Sequence, residues 1–329
     1  MTETLSLGVD LGGTKTEAAL LRLRHSASEG SEFEVLWRER VPTPGSQGYA
    51  AVLANTVALI TRAAQEAGRA PSELSIGVGM PGAVTRREGL VKNSNTVCLN
   101  GRPFREDVSR ELGTPVAFEN DANCFALAEA RLGAAKSQRD GVVFGVILGT
   151  GVGGGVVLGG KVWQGQQHLG GEWGHHAVGP WRQPERSGEA LAGRELGLAL
   201  GERGPCYCGK TGCLELYASG PALEREYQRR SGVARSLPEI AARRAQDADA
   251  RGALDEMLEA FARGMANVID ILDPSAIVLG GGVSNLDLLY REGVERIARY
   301  VFNDELLTPV LKHELGDSAG VIGAALLRG

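Results

Sequence analysis

Several stretches of this 329-residue chain carry side chains whose types and spacing could do chemistry. The first is Asp10-Leu11-Gly12-Gly13-Thr14-Lys15. Paired glycines let the backbone approach a phosphate and turn its N–H groups toward the anion. Thr14 and Lys15 can donate to phosphate oxygens, and Asp10 suits a hard cation such as magnesium. The pattern is neither a Walker loop nor G-x-G-x-x-G. An incidental glycine pair in a hairpin would read the same way. The second stretch, Glu119-Asn120-Asp121-Ala122-Asn123, lies where a strand hands over to a helix. An Asp there can take the proton of a hydroxyl nucleophile as a general base, and Asn120 can orient a neighbouring hydroxyl. Asn and Asp are also the preferred helix caps, so this motif alone does not separate the two roles.

The third stretch is Gly149-Thr150-Gly151-Val152-Gly153-Gly154-Gly155. It reads as a second glycine turn that mirrors the first and could hold a nucleotide's phosphates. Glu172-Trp173-Gly174-His175-His176, followed later by Cys206-Tyr207-Cys208-Gly209-Lys210-Thr211-Gly212-Cys213-Leu214-Glu215, supplies three thiols and an upstream imidazole. Cys₃His closes a tetrahedral zinc shell, which predicts a structural zinc rather than a catalytic one. The spacing leaves open which histidine ligates. Cys98 and Cys124 read as small buried hydrophobes. Last, Gly280-Gly281-Gly282 after Val278-Leu279 could lie flat against a ring or a phosphate.

These residues need a scaffold, and composition bounds it. The length suits two lobes, and 43% apolar residues can fill two cores. The net charge of −5 gives no electrostatic footprint for nucleic acid or a membrane surface. No apolar run reaches the roughly 18 residues a membrane helix needs. The start, MTETLSLGVDLGG, has no signal-peptide pattern, and five cysteines in a chain this long predict no disulfide framework. Cytoplasm is the expected compartment. Glycine is 47 of 329 residues, roughly twice the average of about 7%, and its clusters are expected to mark tight turns for phosphate or sugar.

The apolar pattern predicts strands at 5–9, 33–40, 74–80, 116–119, 142–148, 156–158 and 277–279. It predicts helices at 49–67, 104–112, 121–132, 220–230, 238–271 and 287–301, and a last one near the end. Residues 180–204 read as a loop or flap. Two strand–glycine turn–strand units point to an internal duplication, and the mixed order predicts an α/β fold.

Taken together, DLGGTKTE, GMPG, ENDAN, LGTGVGGG, GEWGH, CYCGKTGCLE and IVLGGG resemble one family, the ROK sugar kinases (repressor, open reading frame, kinase). The resemblance implies an actin-like, ribonuclease H-like fold of two lobes, with ATP and sugar in the cleft between them and a small zinc knuckle. Its lobes would be 1–120 plus about 312–329, and 121–311, with the zinc-binding segment at 175–213. It implies transfer of the ATP γ-phosphoryl group to a hexose 6-hydroxyl, with Mg²⁺. By similarity Asp121 is the base, and Gly82, Asn120, Asp121, Glu172, His175 and Glu215 hold the sugar. Asp10, Gly12, Gly13, Thr14, Lys15, Thr150 and Gly151 surround the phosphates and Mg²⁺, and Gly281 and Gly282 lie against the adenosine. The family's zinc takes the first histidine of GExGH, which selects His175 with Cys206, Cys208 and Cys213. The segment 92–101 would line the sugar side. A departure from the pattern is the stretch of about thirty residues between His175 and Cys206. VKNSNT, LNGRPF and KHELGDSAGVIGAA look most like the fructokinases and mannokinases, so fructose is the expected sugar, with mannose a second activity. CFALAEA and VILGTGVGGG resemble the N-acetylglucosamine kinases, which with glucokinase form the alternative. A sugar-responsive regulator would place a DNA-binding module before DLGGTK. A homodimer with no nucleic-acid or membrane partner completes the expectation.

Overall fold

The computed structural model describes residues 2–26, 30–178 and 200–328. The chain opens with strands β1 (Thr2–Leu11), β2 (Lys15–Ser26) and β3 (Gly30–Pro42), then helix α1 (Tyr49–Glu66). Next come β4 (Ser75–Met80), the short hairpin β5 (Ala83–Val84) and β6 (Val91–Lys92), α2 (Phe104–Leu112), β7 (Ala117–Asn120) and α3 (Asp121–Arg131). The second half holds β8 (Val142–Leu148), β9 (Val152–Leu158), β10 (Lys161–Val162), α4 (Glu215–Ala218), α5 (Gly220–Ser231), α6 (Leu237–Arg243) and α7 (Ala248–Leu272). It ends with β11 (Ala276–Gly280), α8 (Glu292–Ile297), β12 (Val310–Lys312) and α9 (Ala319–Ala325).

Two five-stranded sheets share one strand order, β3-β2-β1-β4-β7 and β10-β9-β8-β11-β12. A duplicated opening hairpin followed by crossover strands gives that order. The chain divides into two compact units, residues 1–145, 155–170 and 313–329 in the first and 146–154 and 171–312 in the second.

In the first unit the period-2 alternation of strands decides what lies on each sheet face. Leu7, Val9 and Leu11 of β1 and Ile76, Val78 and Met80 of β4 form a core with Val52, Leu59, Ile60 and Ala63 of α1. Each Val, Leu, Ile or Met among them contributes roughly 1.5–3 kcal/mol through burial. The intervening positions, Gly8, Asp10, Gly77 and Gly79, point to the other face, where α3 and α9 pack. A Cβ at Gly8 would lie 1.9 Å from the Val321 carbonyl oxygen, and one at Gly77 2.0 Å from that of Ala324. On α9 itself, a Cβ at Gly323 would lie 1.8 Å from the Cys124 oxygen of α3.

The glycine excess therefore serves helix packing as much as turns, which corrects the expectation from composition. The third motif shows it most clearly. The turn is Gly149–Gly151, whose Gly149 N–H donates to the Gly151 oxygen at 2.9 Å. Val152–Gly155 is already strand. Gly155 is bare because a Cβ there would lie 2.6 Å from the Ala122 oxygen.

Two predicted helices are also shorter than their patterns. The stretch 238–271 breaks into α6 and α7 because the Asp247 side chain caps α7, accepting from the N–H of Asp249 at 2.9 Å and of Ala250 at 3.1 Å. Within 287–301 only Glu292–Ile297 is α-helical, after a single 3₁₀ turn at Asp287–Leu289. Of the loop expected at 180–204, residues through 199 lie outside the described residues, and 200–204 have no regular structure. Among the described residues no helix is long and apolar enough to cross a membrane.

Candidate active-site residues

In the first unit the carboxyl ends of parallel strands β1, β4 and β7 carry the predicted residues, the place where open α/β sheets bind ligands. Register sets Asp10 beside Gly79, and Gly79 beside Glu119. One face of the sheet thus presents two carboxylates flanking a bare glycine. Burial above all, then the Asp121 and Glu17 carboxylates, pushes the Asp10 carboxyl up to about 7, and Lys15 and Arg40 offset only part of this. Glu17 is itself buried against Arg38 and Arg40. The Gly12–Gly13 turn closes with the Gly12 N–H donating to the Lys15 oxygen at 2.9 Å, and Thr43 pins it from outside. The Thr43 hydroxyl donates to the Gly12 oxygen at 2.8 Å, and the Thr43 N–H to the Thr14 oxygen at 3.0 Å. Gly13, Thr14 and Lys15 are exposed.

Asn120 is the N-cap of α3, and its Oδ1 accepts from the Ala122 N–H at 2.9 Å. Its Nδ2 donates to the Gly82 oxygen at 3.0 Å. Gly82 stands at φ 86°, and a Cβ there would lie 2.4 Å from the Lys92 oxygen, so only glycine fits. Asp121 is the first residue of α3, where the helix dipole favours its charge. The structure thus brings Gly82, Asn120 and Asp121 together, with Asp10 near enough to feel the Asp121 charge. Capping and a chemical role coexist here. The Cys124 thiol, buried beneath this cluster, is pushed up by desolvation and by Glu119, Asp10 and Asp121, so it is inert.

In the second unit the Glu215 carboxylate accepts from the Val152 N–H at 3.0 Å. A Cβ on Gly151 would sit 2.7 Å from that carboxylate, so the glycine turn makes room for it. Thr150 is exposed beside it. Glu172 is exposed and precedes a 3₁₀ turn over Trp173–His175. The buried Trp173 fixes that turn, donating from Nε1 to the Gly153 oxygen at 2.9 Å and packing edge-on against Phe261. Gly281, at φ 82°, would place a Cβ 2.4 Å from the Leu148 oxygen, while Gly282 is open.

His175, Cys206, Cys208 and Cys213 converge, with their ligand atoms all within 4.8 Å of one another. The Cys206 Sγ to His175 Nδ1 and Cys208 Sγ to Cys213 Sγ separations are both 3.6 Å. Zinc bonds of about 2.0–2.3 Å place tetrahedral ligands about 3.3–3.8 Å apart, so the donor set and its spacing fit zinc. Burial and the neighbouring thiols push Cys213 up to about 12, a cost that a bound cation would reverse. Gly209 and Gly212, at φ 84° and 72°, make the knuckle's turns. His176 lies outside the cluster and is held by backbone bonds. Sequence reasoning missed Tyr207, whose hydroxyl lies 2.9 Å from His175 Nε2, and Gln164, which donates to Glu119. No spacing rule points to either.

The chain is similar to known proteins over nearly its whole length. The family model described as ROK family matches residues 6–328. An N-acetyl-D-glucosamine kinase of Photobacterium profundum is 36% identical over 324 residues, covering 97% of this chain and 98% of the relative. One from Haemophilus influenzae is 37% identical over 321 residues, with the same coverage. Among solved structures, the ROK hexokinase from Thermus thermophilus superposes with a TM-score of 0.79 at 32% identity, covering 98% of this chain and 97% of that one. A ROK family glucokinase from Streptomyces griseus, solved with glucose and AMPPNP, gives 0.70 at 28% identity, covering 99% and 100%.

Proposed function

The chain belongs to the ROK family of sugar kinases and is an ATP-dependent phosphotransferase, and from that premise we propose that its acceptor is the 6-hydroxyl of N-acetylglucosamine. The names of the curated relatives support this sugar over fructose, the first expectation from sequence. The observation that carries the chemistry is the placement of Asn120 and Asp121 at the β7–α3 junction, with Asp10 in the same carboxylate group.

Asp121 would take the acceptor hydroxyl's proton, and Asn120, fixed through its own cap and Gly82, would hold a neighbouring hydroxyl. Glu172, His175 and Glu215 are the proposed sugar ligands of the second unit. Asp10 would face Mg²⁺, whose charge offsets the crowding of the carboxylates and neutralises phosphate oxygens. Gly12, Gly13, Thr14, Lys15, Thr150 and Gly151 are the proposed phosphate contacts. Gly281 and Gly282 are the proposed adenosine contacts. Zinc on His175 Nδ1, Cys206, Cys208 and Cys213 would hold the turn that carries Glu172 and the approach to Glu215, an indirect use of metal. We also propose a cytoplasmic homodimer.

The test is ADP release across N-acetylglucosamine, fructose, mannose, glucose and N-acetylmannosamine with ATP and Mg²⁺. A kcat/KM at least tenfold higher for N-acetylglucosamine, about 1.4 kcal/mol of discrimination, supports the proposal. A tenfold preference for fructose would return the first expectation.

A further inference from the structure

The junction that carries Asn120 and Asp121 is held by a side chain more than forty residues away. Glu119 precedes them, and its carboxylate gathers three donors. Oε1 accepts from the Asn120 N–H at 2.8 Å and from Asn123 Nδ2 at 2.9 Å. Oε2 accepts from Gln164 Nε2 at 2.5 Å. One carboxylate oxygen therefore fixes the first turn of α3, and the other is tied to the segment after β10.

That segment is itself tied down inside the first unit. Arg86 Nη1 donates to the Gln166 backbone oxygen at 3.3 Å and to its Oε1 at 3.0 Å. Lys92 Nζ donates to the Gln167 oxygen at 3.3 Å, and His168 Nδ1 lies 3.1 Å from the Val84 oxygen. Residues 164–168 thus strap the β5–β6 hairpin. His168 holds a φ of 55°, a conformation a non-glycine side chain keeps only where its surroundings impose it. The hairpin begins beside Gly82, whose oxygen receives Asn120 Nδ2. Two routes therefore converge on Asn120, one through Gly82 and one through Gln164 and Glu119.

We infer that Gln164 is a positioning residue, acting through the Glu119 carboxylate to set the geometry of Asn120 and Asp121. Its consequence for turnover rests on the proposed kinase reading, whereas the coupling itself does not. A carboxylate only accepts, so residue 164 must donate. Gln164→Glu sets two acceptors against each other, and Gln164→Ala removes the donor without adding charge. In the Glu119→Gln/Gln164→Glu double variant, the new amide keeps its oxygen for Asn120 and Asn123 and gives an N–H to the new carboxylate.

The experiment measures hydrogen exchange of the full-length protein at residues 119–124, with residues 52–64 of α1 as internal control, alongside kcat and KM. Gln164→Glu should speed exchange at 119–124 at least tenfold and leave the α1 residues unchanged. Its kcat should fall at least tenfold while KM for ATP stays within twofold. Gln164→Ala should move in the same direction by a smaller factor, and the double variant should return exchange to within threefold of wild type. Unchanged exchange at 119–124 in both single variants would overturn the inference, as would a double variant no closer to wild type than Gln164→Glu. If the wild-type protein phosphorylates no sugar, the kinase reading fails and the exchange measurements still decide the coupling.

Discussion

Asp10→Asn separates what the fold prefers from what the reaction needs. Burial, reinforced by Asp121 and Glu17, raises this carboxyl from 3.8 to about 7. At about 1.36 kcal/mol per pH unit, that gap is worth about 4 kcal/mol. The sign follows from proton binding. The folded protein holds this proton more tightly than the unfolded chain. Stability from the group is therefore whole below about pH 4, is lost progressively as pH rises toward about 7, and does not return above it. An amide has the shape of the protonated carboxyl and never ionises. In metal-free protein at pH 8, Asp10→Asn should therefore be more stable than wild type, with about 4 kcal/mol as the ceiling. At pH 4 the two should agree within about 0.5 kcal/mol. Denaturant unfolding in chelator at pH 4, 6 and 8, compared at equal slope, measures this. The same variant should lose most turnover, since the carboxylate is the proposed partner of Mg²⁺. An Asp10→Asn protein that is no more stable than wild type at pH 8 would refute the reasoning that this charge is held uncompensated.

Three other expectations follow from separate parts of the molecule. Because Asp10 must shed its proton to face a cation, the Mg²⁺ concentration for half-maximal rate should rise about tenfold per pH unit below about 7; a flat dependence between pH 6 and 8 would contradict it. Metal analysis should find about one zinc per chain, and Cys213→Ser should lose the metal and most sugar affinity; a metal-free protein of full activity would exclude zinc. Gly323→Ala, which sets a Cβ 1.8 Å from the Cys124 oxygen, should destabilise by roughly 3 kcal/mol or more in thermal unfolding; an unchanged midpoint would show that α3 and α9 separate easily.

The local parts of this architecture were legible because their signals are local. Short apolar runs marked β1 and β4, the uninterrupted apolar period marked α1, and Asn120-Asp121 marked a strand-to-helix junction. The Cys206–Cys213 spacing marked a knuckle, and the structure gathers the four residues that the family resemblance selected. What stayed hidden depends on partners distant in sequence. Gly153 to Gly155 read as turn because nothing in their neighbourhood reveals that α3 lies across the strand at Ala122. The raised proton affinity of Asp10 comes from burial and from Asp121, more than a hundred residues away. α6 ends at Arg243 and Asp247 starts α7 without glycine or proline between them, so the periodicity ran through the break. Gln164 and Tyr207 carry no pattern, and their roles appear only with their partners, Glu119 and His175. The choice among sugars rested on short resembling stretches that pointed two ways, and whole-chain comparison favoured the acetylated one.

The central claim is that Asp121 takes the acceptor's proton as the γ-phosphoryl group moves. The direct measurement follows γ-labelled ATP with N-acetylglucosamine for wild type and Asp121→Asn, identifies the labelled product, and titrates sugar binding by calorimetry. The account predicts label on the 6-hydroxyl with wild type, and sugar binding within about threefold for Asp121→Asn with turnover lower by about 10²–10⁴-fold. An Asp121→Asn protein that binds the sugar and retains more than about a tenth of the wild-type kcat would contradict it.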